Sequence, residues 1–445
     1  MTANTGGVYL QRMYPVKASA AARVPNSAKH GGRAARRRSL WLRAGVFGTL
    51  SVAVLAGCSS STSTDSPTSA SASASTSAAP FDQAALQQIL DETATEFMAP
   101  GMAALVRTPD GDMEAVYGTT TLGGDTEVTP DLHVRIGSNT KTWTGTVILQ
   151  LAQEGKIDLQ GPVSDYYDGV PNGENITIAQ LLNMRSGLYN YSETLTLNEA
   201  LDNEPDRVWA PTELLALGLA NPPYFPPGEG YHYSNTNTVL LGLIAEKLEG
   251  KPIATIFEDR LFTPLNMAQT SFPPSDTAEI PAPFTDGYMY GTNVAQMDDL
   301  SLPPDQLAEA QAGTLEPNNV TGDNPSWTWT AGQGISTLED LTTWVTALGT
   351  GSLLSPEMQQ ERLDSLQPRD PASGDGPLYG YGWASFGPYL GHTGEMPGYN
   401  SFMGYDPETK VSIVVWANLA PSADGQSVAN TAARSIITAI GGGGS

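Results

Sequence analysis

The chain has 445 residues, 40% of them hydrophobic, with 8 Trp, 17 Tyr and 10 Phe, which is enough to build a large core and excludes wholesale disorder. Its net charge of −25 is unevenly spread: the first 57 residues carry nine Lys or Arg and no acid, leaving 13 basic against 47 acidic residues beyond them. A body that acidic repels phosphates, so nucleic acid is not expected as a partner. The single cysteine, Cys58, excludes an internal disulfide, and the four histidines form no HExxH pair, so neither a metal site nor a cofactor is expected.

In chain order, a basic run from Arg33 to Arg43 precedes thirteen apolar or small residues, Ala44 to Ala56, and then Gly57-Cys58. Thirteen residues are too few for a permanent span but suit the apolar core of a signal peptide. Residues 1–57 are therefore read as a signal peptide with an N-terminal extension. Leu55-Ala56-Gly57-Cys58 resembles a lipobox, which implies lipidation of Cys58, export, and anchoring to the cell membrane. Residues 58–80, almost all Ser, Thr, Ala and Pro, are expected to form a tether, and 441–445 (GGGGS) a flexible tail.

The body is read as one domain over 81–440. Phe81–Met98 has helical periodicity, and Met102–Arg107 with Met113–Tyr117 reads as a hairpin around Asp110-Gly111. A short strand, His133–Ile136, leads to Ser138 and a helix over Thr140–Glu154. Helical pieces broken by Pro and Gly follow, among them Thr236–Leu248 and Ile253–Phe262. Residues 270–330, rich in Pro, Asp and Asn, read as a surface insertion. Strands return at Tyr381–Phe386, Tyr389–His392, Ser401–Tyr405 and Val411–Asn418, before a last helix over Ser427–Ala439. The expected class is α+β: a sheet assembled from both chain ends, flanked by terminal helices, with a mainly helical subdomain between.

Three short segments carry chemistry. Ser138-Asn139-Thr140-Lys141 puts a hydroxyl and an amine one helical turn apart, and a desolvated lysine can accept the serine proton. Tyr233-Ser234-Asn235 offers a phenol and an amide on the turn before an apolar helix. His392-Thr393-Gly394 reads as a strand end where glycine lets a peptide-like ligand approach. No G-x-S-x-G occurs, so an α/β-hydrolase elbow is excluded.

Together and in this order, the three segments resemble the signatures of the serine penicillin-recognising, β-lactamase-like enzymes: S-x-x-K, Y-x-N and H-T-G. Arg185-Ser186-Gly187-Leu188-Tyr189-Asn190-Tyr191, Phe225-Pro226-Pro227-Gly228 and Tyr381-Gly382-Trp383 extend the likeness, which is greatest to secreted D-alanyl-D-alanine carboxypeptidases/transpeptidases. The resemblance implies a β-lactamase/DD-peptidase fold and a serine hydrolase acting on cell-wall stem peptides. It implies Ser138 as the residue acylated, with Lys141 and Tyr233 as proton carriers. Asn235, His392, Thr393, Gly394 and Glu395 are implied as substrate-binding. An oxyanion hole is implied at the Ser138 N–H and a second N–H beyond Gly394, near Gly398–Asn400. Two features depart from the carboxypeptidase pattern: Ala384-Ser385-Phe386 holds no arginine for a substrate carboxylate, and Glu395 stands where a hydroxyl is expected. A carboxylate beside Thr393 would repel an anionic substrate end unless Arg362 or Arg369 compensates. An esterase or β-lactamase-like hydrolase of the same mechanism is the alternative reading, and an inactive envelope-binding lipoprotein the rival from another class.

Overall fold

The structure is a computed structural model that describes residues 81–370 and 376–441. Residues 1–80, on which the expected signal peptide, Cys58 and the expected tether fall, and residues 442–445 lie outside the described residues.

An eight-stranded antiparallel sheet forms the spine. Its strands are β1 (Gly101–Thr108), β2 (Gly111–Gly118), β3 (Gln367–Pro368), β4 (Leu378–Tyr379), β5 (Ala384–Phe386), β6 (Tyr389–Met396), β7 (Tyr399–Asp406) and β8 (Val411–Ala417), in the spatial order β2-β1-β8-β7-β6-β5-β4-β3. The two chain ends meet where β1 pairs with β8, Met102 opposite Ala417 and Arg107 opposite Ser412. A sheet from both ends between terminal helices is the architecture expected from the sequence.

Strand period sorts the side chains between two layers. Met102, Ala104 and Val106 of β1, with Ile413, Val415 and Ala417 of β8, pack against α1 (Gln83–Phe97) and α5 (Val428–Ile440). Their alternates Ala103, Leu105, Val414 and Trp416 join the opposite core, which also holds α2 (Thr140–Gln153), α3 (Asn235–Glu249) and α4 (Leu338–Thr350). Both faces are covered, so these strands read as continuous apolar runs.

The helix after the nucleophile is buried nearly all round: every residue from Thr140 to Leu151 is buried. Trp143 meets Phe257, Phe262 and Trp344 edge-on, and Trp344 donates its indole N–H to Thr142 Oγ1 at 2.8 Å. A helix with no wet face holds its first turn rigidly and keeps water from any charge placed there.

Two sequence expectations change here. His392-Thr393-Gly394 lies inside an eight-residue strand, not at a strand end, because Gly394 gives space to a neighbouring backbone and does not break the pairing. Tyr381–Phe386 is not one strand: Gly382 at φ +69° turns the chain, leaving β4 and β5 on either side.

Candidate active site

Ser138 occupies a 3₁₀ turn, Gly137–Asn139, that feeds α2. Gly137 has φ +53°, and a Cβ there would lie 2.7 Å from the Glu395 backbone nitrogen, so only glycine fits between the nucleophile turn and β6. The sequence reading passed over it; its place directly before Ser138 was the available signal.

Lys141 Nζ lies 3.0 Å from Ser138 Oγ and 2.7 Å from the Ala331 carbonyl oxygen, with the Tyr233 ring 4.7 Å away. The lysine is 1% exposed, and burial pushes its pKa well below the usual lysine value. A neutral amine has two N–H bonds and one lone pair. Donating to Ala331 leaves the lone pair for the serine hydroxyl, the arrangement required of a general base. Nothing in the sequence pointed to Ala331.

Asn235 begins α3. Its backbone N–H donates to Asn190 Oδ1 and its Nδ2 to Ser192 Oγ, both at 3.0 Å. The remaining Oδ1 is buried and has no hydrogen-bond partner among the described residues. Tyr224 and His232 both bond Glu193, bracing the loop that carries Asn190 and Ser192.

On β6 the two-residue turn Pro397-Gly398 makes Met396 and Tyr399 the closing pair of the hairpin with β7. Hydrogen-bonded pairs alternate along an antiparallel ladder, so the backbone groups of Thr393 and Glu395 turn away from β7. They face the edge that β5 leaves open after pairing Ala384 with Gly391. Glu395 N lies against Gly137, so the Glu395 N–H sits beside the nucleophile turn as a candidate partner of the Ser138 N–H for an oxyanion hole. The expectation of a donor near Gly398–Asn400 is corrected: Gly398 N–H is taken by the Ala420 carbonyl at 3.0 Å, because β6 runs two residues past Gly394.

Side-chain parity corrects the role expected of Glu395. Leu390 and Met396 join the α2 side and Tyr389 the terminal-helix side, so His392 and Gly394 face the nucleophile while Thr393 and Glu395 face away. The Glu395 carboxylate accepts from Asn400 Nδ2 at 3.0 Å and from Ser427 beside α5. Burial raises its pKa. It is a brace under the sheet and does not repel substrate.

His392 is fully buried. Its Nδ1 lies 2.5 Å from the Thr393 carbonyl, which can only accept, so Nδ1 carries the proton and Nε2 accepts from the Tyr379 hydroxyl at 3.1 Å. Burial, then the charge of Lys141, push its pKa down to about 3. The imidazole is neutral at any working pH and cannot serve as a cation for a substrate carboxylate. Tyr379 was missed because no spacing linked it to His392. Of the two arginines considered for a carboxylate, Arg362 lies in the core, 4.6 Å over the Trp383 ring and bonded to Thr146 Oγ1 at 3.0 Å. Arg369 is half-exposed, and its charge is felt at His392 and Tyr231.

A serine hydroxyl 3.0 Å from a buried lysine amine, beside an open strand edge, is the arrangement of an acyl-transfer hydrolase site. The Beta-lactamase family model matches residues 90–437, and the chain belongs to that family of serine hydrolases. It is 26% identical to Protein flp of Staphylococcus aureus (strain N315) over 351 residues, 76% of this chain and 63% of that protein. It is also 26% identical to Penicillin-binding protein 4* of Bacillus subtilis (strain 168) over 282 residues, 60% of this chain and 56% of that protein. The chain thus spans less than two thirds of these relatives' length. Among solved structures it resembles a D-stereospecific amidohydrolase from Streptomyces sp., with TM-score 0.69 and 30% identity, covering 82% of this chain and 100% of that one. It also resembles the D-amino acid amidase from Ochrobactrum anthropi SV3, with TM-score 0.67 and 25% identity, covering 80% and 98%.

Proposed function

We propose that this protein hydrolyses amide bonds at D-configured amino-acid residues through an acyl-enzyme on Ser138. The carrying observation is the buried Lys141 amine 3.0 Å from the serine hydroxyl. Lys141 takes the Ser138 proton as Oγ attacks the carbonyl carbon, and the two backbone N–H groups hold the oxyanion. The proton then passes from Lys141, beside Tyr233, to the departing amine. Water repeats the sequence on the ester and frees the acid.

Neutral His392 favours an uncharged leaving group such as an amide, in keeping with the D-stereospecific amidohydrolase and D-amino acid amidase that this fold resembles. A second reading, a D-alanyl-D-alanine carboxypeptidase on cell-wall peptides, is favoured by Arg369, whose charge reaches His392. Steady-state kcat/KM for D-phenylalaninamide, its L enantiomer and a D-Ala-D-Ala peptide separates these readings. The amidohydrolase reading expects D over L by at least about ten-fold, the discrimination one well-placed contact gives, and the amide above the peptide. Preference for the L-amide sinks it; a dominant D-Ala-D-Ala rate restores the carboxypeptidase.

We also propose that the enzyme works outside the cytoplasm, anchored through a lipid on Cys58, because a basic run, an apolar stretch and small residues precede that thiol. Cys58→Ser should move the protein from the membrane fraction to the soluble one, or leave it unprocessed. Unchanged membrane partitioning with normal processing refutes the anchor.

A further inference from the structure

Every residue of α2 from Thr140 to Leu151 is buried, so its hydroxyls need acceptors inside the protein. Thr140, Thr142 and Thr146 spend theirs one turn back along the chain, on the Gly137, Asn139 and Thr142 carbonyls at 2.8, 2.6 and 2.7 Å. Thr144, 1% exposed, does not. One turn beyond Lys141 and on the same face, it donates outwards to the Thr330 carbonyl at 3.0 Å.

That acceptor belongs to the 3₁₀ turn Trp329–Ala331, which also supplies the carbonyl held by Lys141. A helical turn ends in carbonyls that its own backbone cannot reach. Gly332 and Gln333 both direct their N–H groups at the Trp329 carbonyl, at 3.0 and 2.9 Å, and among the described residues no backbone N–H serves Thr330 or Ala331. Side chains of α2 satisfy both, Thr144 taking one carbonyl and Lys141 the next. Thr140 adds a third tie by accepting the Gly334 N–H at 3.1 Å. The turn needs such ties: Trp329 has φ +37°, a left-handed conformation that a bulky residue keeps only when its surroundings hold it there. On the other side the Thr330 hydroxyl donates to the Thr238 carbonyl of α3 at 3.0 Å. Gly242 of α3 gives the turn its room, since a Cβ there would lie 2.5 Å from Thr330 Cγ2 and 2.8 Å from the Trp329 ring. Thr330 is thus pinned between the helix of Lys141 and the helix of Asn235.

We infer that Thr144 is a positioning residue for the general base: by holding the Thr330 carbonyl, it aims the adjacent Ala331 carbonyl at the Lys141 amine. The two carbonyls belong to successive rigid peptide planes of one tight turn, so a shift of the first carries the second. Without the Thr144 hydroxyl the strained turn relaxes and the Ala331 oxygen withdraws. The amine then loses the partner that leaves its lone pair facing Ser138. The inference rests on the reading of Lys141 as the base and adds the residue that aims it.

The test follows phosphonylation of Ser138 by a fluorophosphonate, in which Oγ bonds to phosphorus, fluoride departs and the serine proton passes to the base. This readout does not depend on the natural substrate. The second-order rate constant is measured against pH for wild type, for Thr144→Val, which keeps the shape and loses the hydroxyl, and for Thr144→Ser, which keeps the hydroxyl. Thr144→Val should lower the plateau at least about five-fold. Its rising limb should move to lower pH, because a carbonyl acceptor favours the ammonium form and its withdrawal favours the amine. Thr144→Ser should restore both. Wild-type plateau and limb in Thr144→Val overturn the role. So does a lowered plateau with an unmoved limb, which is loss of packing alone, or a Thr144→Ser variant no better than Thr144→Val. Should Thr144→Val fail to fold, Thr144→Cys takes its place: its weak S–H donor should give the same two changes, and wild-type values there overturn the role. If wild type itself shows no rising limb, Lys141 is not the base and the inference falls with that reading. A wild-type limb with an indifferent Thr144→Val sinks Thr144 alone.

Discussion

Lys141→Met should lower kcat/KM by about 10³-fold, ~4 kcal/mol, with the fold retained. Methionine fills the same buried channel without a charge to desolvate, and among the described residues it deletes only the hydrogen bonds to Ser138 and the Ala331 carbonyl. The pH profile distinguishes loss of a base from loss of packing. Burial disfavours the ammonium form, so the folded pKa lies below the ordinary lysine value. Wild-type kcat/KM should therefore rise with pH as Lys141 gives up its proton and level off well below pH 10.5, the ordinary midpoint. The residual activity of Lys141→Met should lack that limb. A Met variant that keeps both rate and limb removes Lys141 from the chemistry.

Gly394→Ala should cost about 10²-fold in kcat/KM and destabilise the fold by about 1–3 kcal/mol. A Cβ at this position falls 1.9 Å from the Ile136 carbonyl oxygen, 2.4 Å from Ser401 Oγ and 2.9 Å from Asn139 Nδ2. Those three groups hydrogen-bond one another and tie the nucleophile turn to the sheet. A backbone oxygen cannot swing aside, so the turn and β6 must part by an ångström or more. That carries the Glu395 N–H away from Ser138 and opens the proposed oxyanion hole. Chemical denaturation and steady-state kinetics measured on the same preparation check both parts. An alanine variant with wild-type values shows that the close approach is not required.

The sequence disclosed the spine because its signals are local. The β1–β2 hairpin turn, the continuous apolar strand runs and the terminal helices each announce themselves within about a dozen residues. Ser138 and Lys141 were legible for the same reason: one helical turn fixes their relation. Groups that meet only through the fold were not. Ala331 reaches Lys141 across 190 residues. Tyr379 is only thirteen residues from His392, yet no periodicity connects two strands separated by a glycine turn. Glu395 shows the limit most plainly. Its chemistry was read correctly as a carboxylate near the third signature, but which face it takes depends on strand parity. Parity could not be counted while Gly394 was taken for the strand's end.

Intact-protein mass spectrometry with peptide mapping, after incubation with benzylpenicillin or a fluorophosphonate, tests the central claim that Ser138 is the residue acylated. Wild type should gain one adduct per chain, on the peptide containing Ser138. Ser138→Ala, which loses a single hydroxyl from a turn held by its backbone and by Gly137, should gain none and unfold at the same temperature. An adduct that forms on Ser138→Ala at the wild-type level, or that maps to another residue in wild type, contradicts the account.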